Sequence, residues 1–246
     1  MLVDTLDKDW RVKTFNEFSG VNRSAAGRRP WSVRSESRYS IRMMPLDEVA
    51  TKLERCPHPL VVLKPLVESQ KAPAILRTID HAVCAWVFRH YRDVARSNVK
   101  LFTPEVTRIN LEPMLREQSG NWRGEFVPDD VRDLIARHYS PDMSPFDGGA
   151  LFWFARNRLF LDLELASEDR VMPLKYEDLV ADPERSLRRL YRHAGIVFPG
   201  GWIAEDIHPS SVGLGRDVEL SAEVERACEH LWSELNAAYE RRLATT

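Results

Sequence analysis

Cysteine is scarce: Cys56, Cys84 and Cys228 are scattered over 246 residues, too few for a disulfide framework and without the CxxC pair that would hold zinc. A reducing, cytoplasmic setting and the absence of a metal are the expectations. Excess charge of one sign is also missing. Lys and Arg number 35 against 37 acidic residues, a formal net charge of −2, so bulk electrostatics offers nothing to nucleic acid or to a membrane surface. Any anion site must therefore be local. No apolar run reaches membrane-spanning length, and the opening MLVDTLDKDW carries acids where a secretory leader would be basic and then apolar. His81, His90, His138 and His208 never fall at metal-ligand spacing, and no internal repeat occurs.

What is present is the balance of a soluble globular protein, 43% apolar and 29% charged, and its length suits one domain over residues 1–246. Short runs rich in branched or aromatic residues, VKTF (12–15), LVVLK (60–64), AVCAWVF (82–88) and VMPLK (171–175), read as buried strands. Between them, residues 45–56, 72–82, 92–102 and 128–139 have helical spacing, and 146–165 is apolar on more than one face, as a core helix would be. Two further helices follow: PERSLRRLYRHAG with its glycine stop, and a last one opened by Ser221 with Glu223 and Glu225 in the first turn. The fold expected is α/β, a parallel β-sheet flanked by helices, with a helical region over about 103–168. Residues 19–42, carrying six arginines and little core material, are expected to form a mobile loop.

Ligands of open α/β sheets sit beyond the carboxyl ends of the strands, so the residues just after each run matter most. These are Asn16 and Glu17, Lys64 and Pro65, Arg89, then Tyr176, Glu177 and Asp178. A carboxylate, an amine, a guanidinium and a phenol around one crevice suit an anionic, base-containing ligand and a proton transfer. Taken singly, each has a plainer reading: strand-end Arg or Lys as surface charge, Glu as a turn cap, Tyr as packing.

Two segments together narrow the choice. FRHYRDVARS (88–97) places Arg89 at a strand end, Arg92, Asp93 and Val94 after it, and Ser97 eight residues beyond the arginine; LKYEDLVADPERSLRRLYRHAGI (174–196) has Tyr-Glu-Asp-Leu after a strand, then Asp-Pro and a helix. The first resembles the 3′-phosphate-binding segment of sulfotransferases that use 3′-phosphoadenosine 5′-phosphosulfate (PAPS), and the second is similar to that family's later signature. VKTFNEF and LVVLKPLVESQ resemble the segments that carry the family's catalytic Glu and a lysine. The resemblance implies a P-loop NTPase-like sulfotransferase fold and PAPS as co-substrate, with no metal. It also implies a 3′-phosphate grip by Arg89 and Ser97, the latter at the start of a helix, with Tyr176 beside them. Glu17 would be the general base and Lys64 would stabilise charge on the sulfuryl group. The acceptor would be the hydroxyl of a carbohydrate or small metabolite. Ser210, Ser211, Gly213, Gly215 and Arg216 form the pool for a loop over the phosphate, none singled out. Trp153, Phe154, Arg156 and Asn157 stand near the acceptor, though the two aromatics also read as core.

The pattern departs from the family at its front. The family's first strand and its phosphosulfate loop, a basic residue followed by Ser or Gly, Gly and Thr, have no counterpart in these residues. The expectation is an N-terminally shortened chain without transfer activity, whose exposed strand edge favours a homo-oligomer. A non-catalytic nucleotide- or partner-binding protein is the rival reading. A nucleotide kinase is disfavoured by the missing loop and by the Tyr-Glu-Asp-Leu signature.

Overall fold

The structure, a computed structural model, describes residues 1–16, 32–34, 41–43, 45–64, 68–102, 104–116 and 121–244. Its residues cluster into two compact units, each assembled from two stretches of chain: Met1–Cys84 with Asp182–Ile207, and Ala85–Ala181 with His208–Thr246.

In the first unit, helix α1 (Leu2–Leu6) leads into strand β1 (Val12–Asn16), which pairs in parallel with β4 (Leu60–Lys64) from Val12 opposite Leu60 to Asn16 opposite Lys64. Parallel neighbours need a crossover, and α2 (Leu46–Glu54) lies between them in the chain. Buried Val49 of α2 gathers Phe15 from β1, Leu63 from β4, Leu46 and Leu53 from its own helix, and Ile75 of α3 (Ala72–Thr78). Strands β2 (Ser32–Arg34) and β3 (Ile41–Met43) pair antiparallel, so the segment expected to be a loop over 19–42 contains a strand; its other residues, apart from Ile41 and Arg42 in β3, lie outside those described. Helix α9 (Pro183–His193) starts at a capping Asp182, whose side chain accepts from the Arg185 N–H, and is followed by Gly195 at φ +73°. Its buried stripe of Leu187, Leu190 and Tyr191 brings the Tyr191 hydroxyl to Asp9, which a bidentate Arg11 also holds (3.0 and 2.7 Å).

In the second unit, β5 (Cys84–Phe88) and β6 (Val171–Lys175) are hydrogen-bonded neighbours, Cys84 marking the division between the units. Helix α4 (Tyr91–Leu101) crosses α7 (Pro145–Asp162) so closely that a Cβ on Gly149 would stand 3.1 Å from the Ala95 Cα. Helix α7 is buried on several sides, as its apolar sequence requires, and α10 (Ala222–Ala244) packs against it and against β6. Phe88 sits edge-on to Trp232 and Tyr239 of α10. Helices α5 (Pro104–Leu115) and α6 (Asp129–His138) complete this unit's helical region, with Leu111, Met114 and Ile135 fully buried; α8 (Tyr176–Ala181) follows β6 directly. No helix among the described residues is long and apolar enough to cross a membrane.

Candidate anion-binding site

Strand β5 alternates: Trp86 and Phe88 face the core, while Val87 between them is 45% exposed. The next residue, Arg89, leaves the strand at the turn into α4, where His90 is the N-cap and its Nδ1 accepts the Arg92 N–H at 3.3 Å. The peptide joining Arg89 to His90 is held from both sides. Its carbonyl accepts from Trp153 Nε1 (2.9 Å), and its N–H donates to Glu177 Oε1 (2.9 Å). That fixes the root of the arginine side chain.

The guanidinium then lies 4.8 Å over the Tyr176 ring; its Nη2 donates to the Ser211 carbonyl and stands 3.4 Å from Asp93 Oδ2. Its side chain is 19% exposed, and Nε is buried with no acceptor among the described residues. A buried donor without a partner costs free energy, so an acceptor oxygen brought to this nitrogen would be stabilising. Tyr176 Oη and Ser211 Oγ share a hydrogen bond of 2.7 Å. Two hydroxyls and a fork-shaped cation thus converge at one strand end, a donor set suited to phosphate.

The surroundings balance this cation. Asp93, 4% exposed, accepts the N–H groups of Gly213 (2.8 Å) and Gly215 (2.6 Å). Burial holds His90 below its ordinary pKa, although Glu177, Asp93 and Glu229 pull the other way. Its ring stacks on Tyr91 at 4.5 Å. Arg92 is engaged elsewhere, by the Val218 carbonyl and the Glu225 carboxylate.

Of the residues expected from sequence, Arg89 and Tyr176 are brought together. Ser97 is not at the start of a helix: α4 begins at Tyr91, which puts Ser97 in the second turn, about 9 Å along the axis. The reason is that His90 caps the helix immediately after the strand. Ser97 shares a face with Asp93, one turn earlier, and its half-buried hydroxyl has no hydrogen-bond partner among the described residues. Lys64 ends β4 in the first unit, exposed and opposite Asn16; Glu17 lies outside the described residues. Trp153 and Phe154 are core residues, 3% and 7% exposed, and Trp153 also positions Arg89. Within the C-terminal pool, Ser211 meets Arg89 and Tyr176, and Gly213 and Gly215 donate to Asp93. Asp93 and Glu177, which the sequence pattern includes without a role, organise the site. No group of His, Cys, Asp and Glu among the described residues could hold a metal ion.

The sequence model of the sulfotransferase family matches residues 7–200. The chain belongs to the sulfotransferase family. No curated protein matches the sequence. Among solved structures, this sulfotransferase-family chain is similar to the sulfotransferase domain from the Synechococcus PCC 7002 olefin synthase (18% identity, TM-score 0.47, 76% of this chain and 64% of that one). It is similar also to the sulfotransferase domain from the curacin biosynthetic pathway (18%, 0.46, 75% and 66%). A third is mouse sulfotransferase SULT7A1 complexed with PAP (12%, 0.48, 99% and 84%). The chain therefore spans just under two thirds of the length of the first two.

Proposed function

We propose that this sulfotransferase-family chain binds PAPS through its 3′-phosphate and supplies the base and the lysine for sulfuryl transfer to a hydroxyl of a carbohydrate or small metabolite in the cytoplasm, transfer itself being expected only where a phosphosulfate loop accompanies these residues. The observation that carries the reading is the Arg89 guanidinium at the end of β5, seated on Tyr176, with a buried Nε that lacks an acceptor among the described residues. A 3′-phosphate oxygen placed there satisfies that nitrogen, while a second oxygen replaces the Ser211 carbonyl at Nη2. Tyr176 and Ser211 supply hydroxyls at the same end, and Ser97 adds one further along α4.

Sulfuryl transfer needs an aligned nucleophile and cations around spread negative charge more than covalent help. Glu17 takes the proton from the acceptor hydroxyl, and Lys64 stabilises the charge that develops on the sulfuryl or bridging oxygens. Lys64 ends its strand opposite Asn16, the last residue of the parallel pair.

The test is transfer of labelled sulfate from PAPS to a panel of sugar and small-metabolite hydroxyls, run beside calorimetry with adenosine 3′,5′-bisphosphate. Transfer that falls about 100- to 10,000-fold in Glu17→Gln while nucleotide affinity holds supports the full reading. Nucleotide binding without transfer to any acceptor restricts this chain to binding. Absence of both overturns the proposal.

A further inference from the structure

The stretch from Ser211 to Val218 lies across the first turn of α4 in a way that glycine alone permits. A Cβ on Gly215 would stand 2.3 Å from the Arg92 carbonyl carbon and 2.6 Å from the Asp93 nitrogen, so the two backbones touch. Gly213 has φ +73°, where a side chain is strained. One carboxylate joins this stretch to the helix. Asp93, buried in α4, takes the Gly213 N–H on Oδ2 and the Gly215 N–H on Oδ1, skipping exposed Leu214 between them. Oδ2 also faces the Arg89 guanidinium at 3.4 Å. Two residues before Gly213, the Ser211 carbonyl accepts from that guanidinium and the Ser211 hydroxyl meets Tyr176. The carbonyl thus occupies a position an anion's oxygen would take.

We infer that Asp93 is a positioning residue whose carboxylate latches the Gly213–Gly215 strap to α4, holding Ser211 across the Arg89 clamp so that the strap closes the site over a bound 3′-phosphate. This rests on the reading of Arg89 as a phosphate clamp. On nucleotide binding the Ser211 carbonyl gives up Arg89, while both glycine amides stay on Asp93. Movement is confined to the Ser211–Val212 end of the strap, and the Ser211 hydroxyl stays beside the ligand. No bond is made or broken other than hydrogen bonds.

Asp93→Asn separates this role from simple electrostatics, because the two have opposite signs. Removing a negative charge beside Arg89 favours phosphate and should tighten binding. Losing the latch should loosen it: an Asn of the same shape has one acceptor oxygen and turns its NH₂ toward the second glycine N–H. The expected result is dissociation of adenosine 3′,5′-bisphosphate at least about tenfold faster, with affinity for adenosine 5′-phosphate unchanged. Hydrogen exchange at the Gly213 and Gly215 amides should rise while the amides of α7 keep their protection. Tighter nucleotide binding in the variant, or unaltered exchange at both glycines, overturns the inference. Should the variant not fold, exchange in the unmodified chain decides: Gly213 and Gly215 must be protected relative to Leu214, and equal rates across the three refute the latch. A wild-type chain that fails to bind the bisphosphate refutes the clamp reading, and the latch is then judged on amide exchange alone.

Discussion

Replacing Arg89 by alanine tests the clamp at its centre. A hydrogen bond to a charged group contributes about 1.5–3 kcal/mol, and which end of that range applies follows from what the guanidinium already does. Nη2 is engaged by the Ser211 carbonyl before any ligand arrives, so at that nitrogen binding exchanges a neutral acceptor for a charged one and gains only the difference. Nε has no acceptor among the described residues, so a phosphate oxygen there is a full gain. The two together place the loss near 2 kcal/mol, about thirtyfold in affinity for adenosine 3′,5′-bisphosphate. Adenosine 5′-phosphate lacks the 3′ group and should lose less than about twofold. Arg89→Lys keeps the charge but not the fork, and should fall between the two. The fold should survive either change, since the 89–90 peptide is held through its backbone by Trp153 and Glu177, and Asp93 keeps both glycine amides. Isothermal calorimetry on the three proteins with both nucleotides reads the result. An equal loss for the two nucleotides, or none for either, refutes the assignment of Arg89 to the 3′-phosphate.

Part of this site is legible in the amino-acid sequence. Strands β1, β4 and β6 announce themselves as branched runs, and in an α/β fold the residue after a buried run lies at the ligand end, which is why Arg89 and Tyr176 stand out. Strand β5 begins later than its apolar run because the Ala82 N–H turns back to the Ile79 carbonyl, closing a turn at Asp80 and His81 and leaving Ala82 and Val83 in irregular backbone ahead of the strand. Helix α5 is not separable as an element within the expected helical region, since Pro113 stands in its last turn and its buried face of Thr107, Leu111 and Met114 opens on a polar residue, while apolar Ile109 is 37% exposed. Ser97 is singled out by its distance from Arg89 in the chain, and that distance says nothing of where the helix starts; the His90 cap decides it. Least legible are Asp93 and Ser211. The glycines that Asp93 holds and the arginine that Ser211 meets lie about 120 residues away in the chain, and no periodicity connects them.

Four further expectations follow from the packing. Glu177→Ala strips the acceptor from the His90 N–H and should cost about 1–3 kcal/mol in denaturant unfolding, whereas Glu177→Gln, which keeps an oxygen there, should cost less than about 1 kcal/mol. His90 is held neutral by burial, its folded pKa lying below the ordinary 6.5, so its contribution to stability is present above that value and is lost as pH falls toward the folded pKa; His90→Gln should flatten the slope just below pH 6.5 in a pH series of melting temperatures. Asp9 is lowered chiefly by its hydrogen bonds from Arg11, so its stabilisation is present above the ordinary value of 3.8 and lost as pH falls below it; Asp9→Ala should cost about 3 kcal/mol near neutrality and remove that acid limb, and an unchanged limb would show that other carboxylates control it. Gly215→Ala is the most local of these changes. The added methyl meets the backbone of Arg92 and Asp93 rather than a flexible side chain, so neither side can yield without the strap lifting from α4. Lifting it removes the Gly215 N–H from Asp93 but leaves the α4–α7 packing at Ala95 and Gly149 in place. The variant should therefore keep its fold by circular dichroism and weaken adenosine 3′,5′-bisphosphate by about tenfold. If its affinity matched wild type, the strap would not be part of the nucleotide site, because no rearrangement that accommodates the methyl leaves the strap where it is.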